Sequence, residues 1–309
     1  MKKLVSASNL SHEEWLRYRK LGIGGSDAGA ICGLNPYKTA MQVYFDKTSD
    51  TVEDTDNEAM RQGRDLESYV ARRFMEATGK KVRKANAIFC HDKYPFLLAN
   101  VDRMLTGENV GLECKTASPY TADQWKDGQI PMHYQIQCYH YMSVCNADAW
   151  YIAVLIYGKE FKFYRIDRDD QLIADLIEIE KNFWNEYVIL HKLPEPDGSK
   201  TADAVIAKHF EKSKPIHIVL PDSFNRKLER REELISTMNQ MEQEKKEIEQ
   251  ELKIYMKEAE TAENSQFQIS WKPVDTPRID GQKLKEEQPE VYQKYQKTIH
   301  RRRFTVNAR

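Results

Sequence analysis

The uncharged run AWYIAVLI at positions 149–156 limits most strongly what this 309-residue chain can become. Where 31% of residues are charged, eight apolar residues in succession belong in an interior. Their number and β-branched content suit a strand buried on both faces, and the run is far too short to cross a bilayer. Such a strand needs neighbouring strands and a cover of helices.

Both are legible around it. SHEEWLRYRK (11–20) reads as a short helix, with Ser11 as cap and Glu14 completing a capping box. The glycine-rich LGIGGSDAGAICGLNP turns into a second short helix that stops before Pro36. Residues 58–79 place Leu66, Val70 and Phe74 at helical spacing, with Gly79 as C-cap and Glu67 on the edge of the apolar stripe. KVRKANAIFCHD, FLLANVDRML and GLECKTA read as strands, with GENV as a turn. Residues 131–146 form a helix that Pro131 opens, with Tyr134, Gln137, Cys138 and Tyr141 on one face. After the buried strand come the alternating strand EFKFYRI and a helix over about 169–190. Strands interleaved with helices predict an α/β core of mixed central sheet flanked by helices over residues 1–193.

LPEPDGSK begins a linker with short connecting elements over 194–221. Beyond it, residues 222–309 change character. Leu234, Met238, Met241, Lys245, Ile248, Leu252 and Tyr255 fall at alternating steps of four and three, a heptad seam among Glu and Lys. A long helical hairpin or coiled coil is expected, and Lys245 on the seam favours the internal version over a long isolated coiled coil. QFQISWKPV and RRRFTV are expected to pair as strands around a polar helix near 282–298.

Lys and Arg number 47 against 48 Asp and Glu, so no global excess of positive charge marks a nucleic-acid binder. The charge is uneven, however: residues 61–84 hold eight bases and three acids, and residues 291–309 six bases and no acid. A near-neutral total thus allows a basic surface facing a polyanion. Five cysteines, odd in number and without a C-x-x-C pair, fit buried thiols in a reducing compartment better than disulfides or zinc. With no signal peptide at the start, the expected location is the cytoplasm.

The most informative stretch is ANVDRMLTGENVGLECKTAS. Asp102 ends one strand, and Glu113 and Lys115 share a face of the next, with Cys114 on the other. Two carboxylates, an amine and the Cys114 backbone carbonyl suit Mg²⁺ and a phosphodiester to be hydrolysed. A partly desolvated Lys115 would have its charged form disfavoured and would orient or deprotonate the attacking water. E-x-K triplets also start at Glu160, Glu244 and Glu251, so on spacing alone a solvated hairpin and a metal site both stand.

Four motifs in order, GIGGSDAGAICGLNPYKTA, QGRDLESYVARRF, the D…ExK hairpin and HYQIQCYHYM, resemble the YqaJ-type viral recombinase family. That family is related to phage lambda exonuclease within the PD-(D/E)xK nucleases. The likeness covers roughly residues 10–190. It implies the restriction-endonuclease-like core, to which the heptad reading adds residues 222–309 as a long-helix extension carrying small β pairing. It further implies a 5′→3′ exonuclease on duplex DNA ends that uses Mg²⁺, with Mn²⁺ substituting, and passes its strand to a single-strand annealing protein. Carried over, Asp102 and Glu113 are metal ligands, Glu67 is the helix glutamate that completes the metal site, and Lys115 is the catalytic lysine. Gln137, or else Gln135, is the helical glutamine. Ser26 with Arg19 or Lys20 holds the 5′-terminal phosphate. Charge balance agrees: two Mg²⁺ ions need the third carboxylate of Glu67 beside Asp102, Glu113 and the scissile phosphate.

Rival readings are a structure-specific endonuclease on the same fold and a non-catalytic DNA-end-binding protein. GIGGS follows a helix and lacks G-K-[ST], which removes a nucleotide loop. Its glycines would instead let backbone approach a phosphate. His133 and His140 read as satisfied or exposed, without a carboxylate partner at ligand spacing, and His300 to Arg303 as a solvated end or a DNA-tracking run. Homo-oligomers occur among relatives, and no residue here decides that state.

Overall fold

The structure is a computed structural model described over residues 2–8, 10–51, 57–298 and 301–307. It divides into two units, Met1–Phe210 and Glu211–Arg309.

In the first unit, β1 (Lys2–Ser6) precedes α1 (His12–Lys20), where Ser11 and Glu14 form the expected reciprocal cap. The glycine-rich turn gives the two-residue β2 (Ile23–Gly24) and α2 (Gly25–Ile31), followed by α3 (Ala40–Thr48). Next is α4 (Glu58–Thr78), which ends on Gly79 at φ 71°, the left-handed cap that glycine adopts without a Cβ penalty.

Two segments read as single strands are each divided. KVRKANAIFC becomes β3 (Val82–Lys84) and β4 (Ala87–Cys90), broken at Asn86 with φ 48°. FLLANVDRML becomes β5 (Leu97–Asn100) and β6 (Arg103–Leu105). At both breaks the chain passes between two sheets, one ordered β1-β4-β5-β2 and one in which β3 and β6 continue into β7 (Val110–Ala117). Asp102 therefore lies in the two-residue joint between the sheets, one position beyond any strand.

A 3₁₀ segment, Pro119–Trp125, leads to α5 (Met132–Cys145), then β8 (Ala149–Ile156) and β9 (Glu160–Asp167). The larger sheet runs β3-β6-β7-β8-β9, with β7 and β8 parallel and the other pairs antiparallel. A helix, α6 (Asp170–Phe183), widens into a π-helical turn at Trp184–Ile189. Within the expected linker a further helix, α7 (Lys200–His209), forms, and His209 stacks on Phe45 of α3 at 4.0 Å.

Strand β8 is buried on both faces, as its composition requires. Trp150, Ile152, Val154 and Ile156 join Cys138, Tyr141 and Met142 of α5. Ala149, Tyr151 and Ala153 join Val70, Ala71 and Phe74 of α4. The same alternation sorts β7: Val110 and Leu112 belong to the α4 core and Cys114 packs against it, so Glu113 and Lys115 point toward α5.

In the second unit, α8 (Asn225–Met256) is one continuous helix of 32 residues, not a hairpin. β10 (Thr261–Glu263) pairs with β11 (Gln268–Ser270), so QFQIS finds its partner in TAE. RRRFTV, residues 301–306, forms no strand. His300 lies outside the described residues. The polar helix is split into α9 (Gly281–Glu287) and α10 (Pro289–Tyr295), because Pro289 lacks an N–H and drives Gln288 out of helical conformation, at φ −136° and ψ 61°.

Candidate active site

The joint between the sheets and the α5 face of β7 meet at one place. Register pairs Arg103 with Leu112, which sets Asp102 opposite Glu113, and the Cys114 N–H donates to Asp102 Oδ2 at 2.8 Å. N–H and C=O of one strand residue leave on the same side, so the Cys114 carbonyl also faces the Asp102 side.

Glu113, buried to 3% exposure, has Oε1 2.7 Å from Lys115 Nζ and accepts from Gln137 Nε2 at 2.7 Å. Gln137 also donates to Tyr141 Oη at 3.0 Å. The structure thus brings Gln137 to the site, whereas Gln135 donates to the Ile130 carbonyl at 2.6 Å. Lys115 Nζ sits 4.7 Å from the centre of the Tyr134 ring, which stacks on buried Trp125.

Glu67 reaches the site through a residue that sequence reasoning missed. The buried Arg103 guanidinium donates to the Glu67 carboxylate, to Ser68 Oγ at 3.2 Å and to the Asp102 carbonyl at 2.7 Å. Its place directly after Asp102 was the available signal.

Burial, then the carboxylates of Glu113 and Glu67, push the Asp102 carboxyl well above the usual range, against Lys115 and the Cys114 N–H. For Lys115 the sequence expectation is corrected. Burial favours the neutral amine, but Glu113, Tyr134 and Asp102 outweigh it and hold the ammonium charged. Burial and Lys115 push neighbouring His133 down to about 4, leaving it neutral near pH 7.

Among the described residues, no three Asp, Glu, His or Cys side chains form a ready-made metal cage. Glu113 Oε2 is nevertheless buried without a hydrogen-bond partner, and Asp102 is crowded by like charge. Buried, electron-rich oxygens of this kind fit a hard divalent cation that keeps several waters.

The second group of expected residues lies on α1 and α2. Arg19 donates to Ser26 Oγ at 2.9 Å while its guanidinium packs over Trp15 at 4.7 Å. Lys20 turns elsewhere, to the Ser49 hydroxyl at 3.2 Å and the Thr51 carbonyl at 2.7 Å. Arg19, not Lys20, is therefore the cation at Ser26. The two groups are neighbours through Gly25: a Cβ there would stand 2.6 Å from Tyr141 and 3.0 Å from Gln137. Of the glycines expected to let backbone approach a phosphate, Gly25 makes room for α5.

Two further buried groups have partners that the sequence reading did not name. Asp27 accepts from the Gly24 N–H at 3.0 Å, and the Gly24-x-x-Asp27 spacing was its only signal. His140 does have a carboxylate partner, supplied by α6: its Nδ1 is 2.6 Å from Glu180 Oε1, and its Nε2 is 2.8 Å from the Leu98 carbonyl. All five cysteines are free, with Cys90, Cys138 and Cys145 buried.

Comparison with known proteins gives this geometry a context. Residues 14–148 match the model of the YqaJ-like viral recombinase domain. The uncharacterized protein YqaJ of Bacillus subtilis (strain 168) is 40% identical over 307 residues, covering 98% of this chain and 96% of that one. The crystal structure of LHK-Exo in complex with dAMP aligns with a TM-score of 0.50 at 22% identity, covering 56% of this chain and 91% of that one. That of LHK-Exo itself, an alkaline exonuclease from Laribacter hongkongensis, aligns at 0.49 and 21%, with the same coverage. The TM-score of 0.50 shows a shared fold, the mixed sheet between helices that the motifs implied. The identity is an argument about descent: at 40% over nearly its whole length, this chain belongs to the YqaJ-like viral recombinase family.

Proposed function

We propose that this protein is a Mg²⁺-dependent exonuclease that hydrolyses phosphodiester bonds from the 5′ end of linear double-stranded DNA. The observation that carries the reading is the convergence of Asp102, Glu113 and Lys115, from the sheet joint and β7, against Gln137 of α5. Asp102, Glu113 and the Cys114 carbonyl would hold Mg²⁺, or Mn²⁺ in its place, with Glu67 as the third carboxylate. The bound ion supplies positive charge to the scissile phosphate and acidifies water.

The chain's own residues do the rest. Gln137 fixes the Glu113 carboxylate. Lys115, charged and braced by the Tyr134 ring, orients the attacking water and offsets charge developing on the phosphate. Arg19 and Ser26 hold the 5′-terminal phosphate through charge-assisted and hydroxyl hydrogen bonds. Its partners on this reading are duplex DNA ends and a single-strand annealing protein that receives the exposed strand, in the cytoplasm of a bacterial host. Among the described residues no helix is long and apolar enough to cross a membrane.

The test compares one plasmid in linear and covalently closed form, each with Mg²⁺ or EDTA. Loss of the linear form alone, and only with Mg²⁺, is the expected result. Cutting of the closed circle would replace the exonuclease by an endonuclease, and binding without any degradation would remove catalysis.

A further inference from the structure

Asp27 has no solvent exposure, follows Ser26 directly and takes no part in the chemistry above. Its Oδ1 is 2.9 Å from Lys38 Nζ, and its Oδ2 is 2.8 Å from Lys47 Nζ and accepts from the Gly24 N–H. Lys38 also pairs with Asp46 at 2.6 Å, and Lys47 Nζ donates to the Arg19 backbone carbonyl at 2.9 Å. One carboxylate thus ties α2, the loop before α3, α3 itself and the end of α1.

The arrangement leaves charge in a particular place. Three cations, Arg19, Lys38 and Lys47, stand against Asp27 and Asp46. Both lysines are matched, while Arg19 has no carboxylate partner among the described residues and donates to Ser26. A buried charge survives only when paired and hydrogen-bonded, so without Asp27 the nearly enclosed Lys47 would either leave, breaking its contact to the Arg19 backbone, or lose its proton and keep only a weaker, uncharged one.

We propose that Asp27 is the positioning residue of the terminal-phosphate pocket, holding the Arg19 backbone through Lys47 and the start of α2 through Gly24 so that Arg19 and Ser26 meet one phosphomonoester. The inference rests on the reading of Arg19 and Ser26 as that pocket. It opposes simple electrostatics in sign. If Asp27 acted only through its charge, removing it would raise the potential at Arg19 and tighten phosphate binding; if it positions Arg19, removal loosens it.

The experiment measures, by fluorescence anisotropy in EDTA, the affinity of the full chain for one short duplex carrying either a 5′-phosphate or a 5′-hydroxyl. Wild type is expected to favour the phosphate. Asp27→Asn should cut that preference about tenfold, the scale of one lost charge-assisted contact. Arg19→Ala should cut it similarly, and the double variant no further, since both act on one contact. Lys47→Met, which frees the Arg19 carbonyl but leaves Asp27 on Lys38, should lower the preference about threefold and serves where Asp27→Asn does not fold. An unchanged or increased preference in folded Asp27→Asn or Lys47→Met, or equal losses on both ends, would overturn the proposal alone. Absence of any preference in wild type would remove the pocket reading itself, and this inference with it.

Discussion

Residues 2–210 and 211–307 of this chain hold their secondary structure by different means. In the first region nearly every strand and helix contributes to cores on the two faces of β8 and on the smaller sheet. In the second, among the described residues, Met256 is the one buried apolar side chain, while Leu234, Met238, Met241, Ile248 and Leu252 of the heptad seam are exposed. Helix α8 is supported instead by its many Glu, Lys, Leu and Met residues and by pairs such as Glu242 with Lys245 and Arg230 with Glu233. Burial places side chains to fractions of an ångström, whereas local propensity fixes only a backbone. The proposed site, which draws five groups from α4, the sheet joint, β7 and α5, belongs to the region with the core.

The largest expected effect lies at that site. Lys115→Ala should lower the hydrolysis rate on linear duplex DNA by about 10³-fold, within the usual range for a positioned proton-handling group, while end binding is kept. Single-turnover rates and anisotropy check it, and near-normal turnover would reject the role of the lysine.

Next is the contrast in stability. Leu112→Ala, at a fully buried position of β7, should destabilise the first unit by about 2–5 kcal/mol. Leu234→Ala, on the exposed seam, should stay within about 0.5 kcal/mol. Urea unfolding of both variants measures the contrast directly, and equal losses would show that the seam is covered in solution.

A smaller effect depends on pH. His140 lies wholly inside, where burial lowers its affinity for a proton, but Glu180 and the Leu98 carbonyl outweigh burial and raise its pKa above 6.5. A raised folded value means that the folded state binds the proton more tightly than the unfolded chain. The resulting stability is fully present below pH 6.5 and is lost as pH rises through the folded value. Wild type should therefore lose stability on the alkaline side, and His140→Gln should lose that slope; parallel profiles of the unfolding midpoint would contradict it.

Much of the first region was legible because periodicity reports burial. AWYIAVLI, the Leu66-Val70-Phe74 stripe and the Ser11/Glu14 cap each appear where local pattern puts them. Glu113 and Lys115 share a face because strand parity is a local property. What sequence could not supply is long-range. Arg103 on Glu67, 36 residues away, and Glu180 on His140, 40 away, depend on which helices the sheet recruits. The division of FLLANVDRML at Asp102 depends on two sheets meeting, which alternation cannot report. In the second region the single helix replaced a hairpin because heptad spacing fixes a stripe and not its partner.

The most direct test of the central claim is a time course on linear duplexes labelled at the 5′ or the 3′ end, with and without Mg²⁺. Early release of the 5′ label, dependent on Mg²⁺ and on Glu113 and Lys115, is the predicted result. Release of neither label, or release that persists in Lys115→Ala or in EDTA, would contradict it.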